Sequence, residues 1–220
     1  MKRTATIALA AFAVDSAVQL LASATGNALL GNISKPLLLP LLMVFVLLQV
    51  GWTGHPSIKW LVVGQFFSFL GDVALMFSGD LWFALGIGMF LITHICYLIG
   101  FFALNARQAL TRRPWVLVAY PLLFVAANAA LWSGLGPLRL PILVYSAFLV
   151  SMAMVSMSLG TLFGIGGTLF MVSDLVIGET VAYGTFPGSD FVVMSTYIIG
   201  QALIAWCWVR AVQKTPLAAP

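Results

Sequence analysis

Charge is what this sequence has least of. Only 7% of its 220 residues are Asp, Glu, Lys or Arg, where an ordinary soluble domain carries about 25%. With 62% hydrophobic residues and a mean hydropathy of +1.08, the chain has too little polar surface to form a soluble globular domain. Histidine is nearly absent. His55 and His94 are the only two, too few for the roughly three protein ligands of a catalytic zinc site, and no metal or other cofactor is expected. The two cysteines, Cys96 and Cys207, lie inside apolar segments and read as packing residues rather than as a disulfide or a metal site. Ten basic residues against six acidic ones give a formal charge of +4. They are spread over short loops, which points to membrane topology and gives nucleic-acid binding no support.

Long apolar runs are what the chain has instead. Eight are long enough to cross a bilayer, at 4 to 24, 36 to 50, 58 to 78, 81 to 104, 114 to 131, 138 to 158, 161 to 179 and 191 to 210. The expected fold is therefore all-α, a single polytopic bundle of eight transmembrane helices over residues 1 to 220. The segments between them, "TGNALLGNISKP", "GWTGHPS", "FSGD", "NARQALTRRP", "WSGLGP" and "AYGTFPGSD", are rich in turn formers. The sixth and seventh spans meet in "SMSLGTLFGIGG" with almost no loop, which a helical hairpin tolerates. The N-terminal segment has the basic start and small residues of a signal peptide, but Asp15 interrupts its apolar core and the run suits a retained span. With a cytoplasmic N-terminus, eight basic residues fall on the inner side and only Lys35 and Arg139 on the outer, so both termini are expected inside. A multi-pass protein of a bacterial inner or plasma membrane is the expected location.

Three carboxylates interrupt the spans: Asp15, Asp72 and Asp174. A charge at mid-membrane costs about 2.5–3.5 kcal/mol on insertion scales, so such residues face the bundle interior and are functional candidates. At about 1.5 Å per residue, Asp72 and Asp174 fall roughly 7 to 9 Å below the outer interface and Asp15 roughly 13 Å. Gln65, Ser68 and Asp72 recur at i, i+3 and i+7, a polar stripe unsuited to lipid. Gly167, Asp174 and Gly178 share a face whose small residues invite a close neighbour, which is expected to bring the carboxylates together. Either acid alone serves equally well as interhelical glue; two at matched depth favour function.

Asp15 and other polar residues are candidates for the substrate-binding part of such a site. Lys35 opens the second span in "NISKPLLLPLL", with Ser34 as N-cap and Pro36 in the first turn, so its ammonium and a helix N-terminus would form an outer-face anion site. A lysine that only snorkels to the interface accounts for the same pattern. His94 and Tyr97 share a face, but His94 counts about 12 residues from the outer end of its span, nearer the inner leaflet than the acids. Asn128, Tyr145, Tyr197 and Gln201 are further buried polar candidates, and Ser173 adjoins Asp174.

The segments "SKPLLLPLL", "GDVALMF", "THICYLIGF", "YSAFLVSMAM" and "GTLFMVSDLVIG", in that order over roughly residues 30 to 180, resemble the signature segments of the YhhN family of integral membrane proteins, which includes the animal lysoplasmalogenases. The resemblance implies eight transmembrane helices, hydrolysis of the vinyl ether bond of lysoplasmalogen, a lysophospholipid, to a fatty aldehyde and a glycerophospho-headgroup, and catalytic acids at Asp72 and Asp174. Asp15 belongs to none of these segments. The chemistry suits the residues. A protonated carboxyl donates to the vinyl carbon while a second, ionised carboxylate steadies the oxocarbenium-like cation and orients water, as in glycosidases. Phosphate and ether oxygen in such a lipid are roughly 6 Å apart, so a phosphate at Lys35 would set the vinyl ether near the depth of the two acids.

Other chemistries fit less well. The GxGD signature of intramembrane aspartyl proteases is spoiled in "SFLGD", where Phe69 replaces the first Gly. A proton-coupled transporter of a lipid or small solute, with the same acids as relay, is the main alternative. The paired internal repeats common in such transporters are not evident here, because the GD and SD motifs stand in different contexts.

Overall fold

The computed structural model describes residues 2 to 214. Among them are nine α-helices and no strand: α1 (Arg3–Thr25), α2 (Ala28–Val50), α3 (Pro56–Ala74), α4 (Asp80–Ala103), α5 (Ala106–Arg112), α6 (Val116–Leu131), α7 (Arg139–Leu159), α8 (Thr161–Tyr183) and α9 (Ser189–Lys214), with one 3-10 turn, Gly136–Leu138, before α7. Six of them are long and apolar enough to cross a membrane: α1, α2, α4, α8, α9, and α7 with its 3-10 turn. They are seven if α5 and α6, bent by 94° where they meet, form one broken span. The protein is thus a multi-pass membrane protein. The remaining long helices are α3, which carries Lys59, Gln65, Ser68 and Asp72, and α6, which has 16 residues.

Most expected segments form helices, with shifted ends. The largest correction concerns α2, which starts at Ala28 rather than at residue 36. Gly26 ends α1 in the left-handed conformation (φ 68°), and the Asn27 side chain at once caps α2 by accepting from the Leu30 N–H at 3.1 Å. The segment that reads as a loop is therefore a two-residue turn. Ser34 is not an N-cap; its hydroxyl donates toward Gln19 Oε1 (2.6 Å) and the Leu30 carbonyl (2.7 Å), tying α2 to α1. Pro36 and Pro40 lie inside the helix, as membrane helices tolerate. "NARQALTRRP" holds the short helix α5 instead of a plain loop. Gly160 alone joins α7 to α8, and Arg113 donates to the Met157 carbonyl at 3.0 Å beside that hairpin.

Glycine sets the closest helix packing. On α8 and α9, a Cβ at Gly200 would stand 2.9 Å from the Gly166 carbonyl oxygen, and one at Gly166 would stand 3.0 Å from the Gly200 carbonyl oxygen, so these backbones touch. Gly71 of α3 gives the Phe90 ring its place, since a Cβ there would meet it at 2.8 Å. The extensive interfaces are α3 with α4, α8 with α9, α1 with α2, and α7 with α8, whereas α3 and α8, which bear the two candidate acids, share no substantial interface.

Candidate active site

The α3 stripe is buried as its spacing predicts: Gln65 and Ser68 are 0% exposed and Asp72 is 3% exposed. Asp72 is reached by α9. The Tyr197 hydroxyl donates to Asp72 Oδ2 at 2.6 Å and also contacts Ser68 Oγ at 2.8 Å. Gln201, one turn further along α9, donates to Ser68 Oγ (2.9 Å) and accepts from the Tyr97 hydroxyl (2.7 Å). Tyr197 and Gln201 thus stitch α9 to α3 and α4, with Asp72 at one end of the network.

Asp174 has a separate set of partners. The Tyr145 hydroxyl of α7 donates to Asp174 Oδ2, and His94 Nε2 of α4 stands 3.1 Å from the Tyr145 oxygen and 3.4 Å from Asp174 Oδ2. His94 is 0% exposed. Its Nδ1 has no hydrogen-bond partner among the described residues, so a ring proton on Nε2 gives the imidazole a donor where acceptors exist. His94 is therefore not remote from the acids, as residue counting along its span suggests; it touches one of them. Asp174 is nine residues before the end of α8, whereas Asp72 is two residues before the end of α3.

The two carboxylates do not share a hydrogen bond. Phe170 links their surroundings: its ring centroid is 5.0 Å from that of His94 and 5.3 Å from that of Tyr197. The small residues on α8 do not bring the carboxylates side by side, contrary to the expectation from their spacing. Gly167 serves contact with Ser156 and Ala153 of α7, and Gly166 serves contact with α9.

Two chambers adjoin this region. One, of about 250 Å³, is walled by α4, α6, α7 and α8 and is apolar apart from Asn128, Tyr145, Ser146 and Asp174. The other, of about 530 Å³, is lined by polar groups from the C-terminal end of α1, the start of α2 and the start of α9, among them Gln19, Asn32, Lys35, Ser189 and Asp190. Leu75, Phe83 and Ile177 line both. Lys35 lies eight residues into α2, so the adjoining helix N-terminus expected beside it is not there; the residue opens instead onto a polar chamber.

Of the candidate site residues, the structure brings Asp174, Tyr145 and His94 into contact and puts Lys35 on the neighbouring chamber. Asp72 and Tyr97 belong to the α3–α9 network and line neither chamber. Ser173 is 1% exposed and also lines neither. Asp15 is half-buried on α1, with Oδ2 unpartnered among the described residues. Ser146 and the Phe90–Phe170 aromatic pair escaped the sequence reading. Ser146 follows Tyr145 directly, while the two rings look like any other core residue. No group of three or more His, Cys, Asp and Glu that could hold a metal ion occurs among the described residues.

Comparison with known proteins finds relatives of this chain. Human lysoplasmalogenase TMEM86A is 30% identical over 164 residues, 69% of this chain and 65% of the relative. A lysoplasmalogenase of Mycobacterium bovis is 31% identical over 144 residues, 60% of this chain and 55% of the relative. Rat lysoplasmalogenase TMEM86B is 29% identical over 164 residues, 73% of this chain and 67% of the relative. The chain therefore spans somewhat less than two thirds of the human and mycobacterial proteins. No solved structure matches it. The model of the YhhN family matches residues 30–208, most of the chain, and the protein belongs to that family.

Proposed function

We propose that the protein is a membrane-embedded hydrolase that cleaves the vinyl ether bond of a lysoplasmalogen-type lysophospholipid, releasing a fatty aldehyde and a glycerophospho-headgroup. The adjacency of the two chambers carries this proposal. An apolar space that shares the wall residues Leu75, Phe83 and Ile177 with a polar one lined by a lysine matches a single-chain lipid with an anionic headgroup. Along α8, Asp174 precedes the shared wall residue Ile177 by three residues, about 4.5 Å of helix rise. A phosphate beside Lys35 would leave the ether oxygen roughly 6 Å away. The names of the relatives support the reaction; transport of a solute gains no support from them.

Asp174 is the carboxyl that meets the substrate, because it lines the apolar chamber. It gives its proton to the alkenyl carbon, and the carboxylate left behind is stabilised on Oδ2 by the Tyr145 hydroxyl and the His94 ring. The resulting cation is steadied by that carboxylate and by the field of Asp72. Asp72 also holds Tyr197, and through it the Phe170 ring against the Asp174 cluster. All eight long helices cross the membrane, α3 and α6 included, with both termini cytoplasmic, in a bacterial inner or plasma membrane. The eight-to-two division of basic residues supports that orientation.

Purified protein in detergent, given vinyl-ether and acyl lysophospholipids in parallel, should release fatty aldehyde from the first and no fatty acid from the second. Fatty acid as the main product, or no product from either lipid, would overturn the assignment.

A further inference from the structure

Hydrolysis consumes one water, yet the chamber that receives the alkenyl chain is almost wholly apolar. Of its polar lining groups, Tyr145 and Asp174 are already engaged with one another. The remaining two, Asn128 of α6 and Ser146 of α7, form a pair of their own. Asn128 is 7% exposed. Its amide nitrogen donates to the Phe124 carbonyl at 2.8 Å and to Ser146 Oγ at 3.0 Å. A carbonyl can only accept, so the Phe124 contact fixes which end of the amide is nitrogen. Ser146 has one hydroxyl hydrogen and two acceptors within reach, the Leu143 carbonyl at 3.0 Å and Asn128 Oδ1 at 3.2 Å. When that hydrogen goes to Leu143, the closer of the two, Asn128 Oδ1 has no donor and is an open acceptor on a residue that lines the chamber.

We propose that Asn128 Oδ1, oriented by Ser146, holds the water that attacks the cation. This rests on the hydrolase proposal above and adds to it a residue outside the aspartate pair. Asp174 first transfers its proton to the alkenyl carbon beyond the ether-bearing one; the π electrons form the new C–H bond, and the ether oxygen shares the charge. The water donates one hydrogen bond to Asn128 Oδ1, its oxygen bonds to the ether-bearing carbon, and its other proton passes to the Asp174 carboxylate. The product is a hemiacetal with Asp174 protonated again. Its collapse breaks the carbon–oxygen bond to glycerol, the hemiacetal hydroxyl proton goes to the glycerol oxygen, and aldehyde is left. The overall change is addition of one water. An Asn–Ser pair that merely pins α6 to α7 has no part in any of these steps.

The two roles separate when water has a competitor. The full-length protein in detergent is given a 1-alkenyl lysophospholipid in buffer containing methanol, which captures the same cation as a mixed methyl acetal that keeps the glycerol. The measured quantity is the ratio of mixed acetal to aldehyde, alongside kcat, KM and thermal stability. Asn128→Leu keeps the side-chain size and removes the acceptor, and should lower kcat about tenfold or more, the worth of one strong hydrogen bond, with KM little changed. The acetal ratio should rise severalfold, because water loses its holder. Ser146→Ala leaves Asn128 in place but removes the hydroxyl that orients its amide, and should move the ratio in the same direction by a smaller factor. This variant decides the matter if Asn128→Leu does not fold. Aldehyde formed with an unchanged acetal ratio in the folded variants would overturn the water site alone. No aldehyde from the unsubstituted protein would overturn the hydrolase assignment with it.

Discussion

Tyr197 and Asp72, 125 positions apart in sequence, are joined by a 2.6 Å hydrogen bond that ties α9 to α3. Both side chains are 3% exposed, so the bond has no water to replace it. Tyr197→Phe leaves the Asp72 carboxyl without its donor and should destabilise the protein by about 1 to 2 kcal/mol, the upper range for hydrogen bonds between membrane helices. Thermal unfolding in detergent gives the measurement. Turnover should fall as well, because the same ring packs on Phe170, which packs on His94.

Asp174→Asn should cost more than about 10²-fold in aldehyde release while the protein remains folded, since Asn keeps shape but carries no transferable proton; Asp72→Asn should lower turnover as well, because it removes the carboxylate that steadies the cation and that accepts from Tyr197. Asp174→Asn should act on kcat, as a group in contact with substrate. Near-normal turnover in either variant removes that residue from the mechanism.

Lys35→Ala should raise KM for a lysoplasmalogen if the ammonium holds the phosphate, and Lys35→Arg should be milder but not silent because the guanidinium is larger and differently shaped. A simple vinyl ether without phosphate should be cleaved equally by both variants and the parent. Equal losses on the two substrates would show that Lys35 supports the fold and does not read the headgroup.

Gly200→Ala should destabilise by about 1 to 3 kcal/mol, the usual cost of overpacking. Its new Cβ would stand 2.9 Å from the Gly166 carbonyl oxygen and 2.9 Å from the Phe170 amide nitrogen, and backbone atoms cannot swing aside as a side chain does. Thermal stability equal to the parent's would mean that α8 and α9 are further apart than described.

Topology is open to cysteine labelling. Ser78 is exposed between α3 and α4, and Gln108 is exposed on α5. With both termini inside, Ser78→Cys in whole cells should react with a membrane-impermeant thiol reagent, and Gln108→Cys only after lysis. The reverse pattern inverts the orientation.

Composition and hydropathy are enough to identify the solvent as lipid, and through it the class of fold. With 7% charge and repeated apolar runs, the chain must satisfy its backbone hydrogen bonds internally, and helices do that within one segment. The polar stripe of Gln65, Ser68 and Asp72 was legible for the same reason, because helical spacing is local and the cost of polar groups in lipid leaves them only the interior. What depends on the meeting of distant segments was not legible. Residue counting put Lys35 at a helix start and His94 away from the acids, because a count carries no information on where a neighbouring helix ends or at what height it crosses. The Gly26–Asn27 turn moved the start of α2 by two turns, and the packing of α4 against α7 carried His94 to Tyr145 and Asp174. Packing of the helices gives Asp72 and Asp174 a tyrosine each, from α9 and α7 respectively, and sets Asp174 in the lining of the apolar chamber. Hydrogen bonds between helices are set by the rotation and height of both partners, and close glycine contacts such as Gly166 with Gly200 fix those quantities across the bundle, where no local pattern records them.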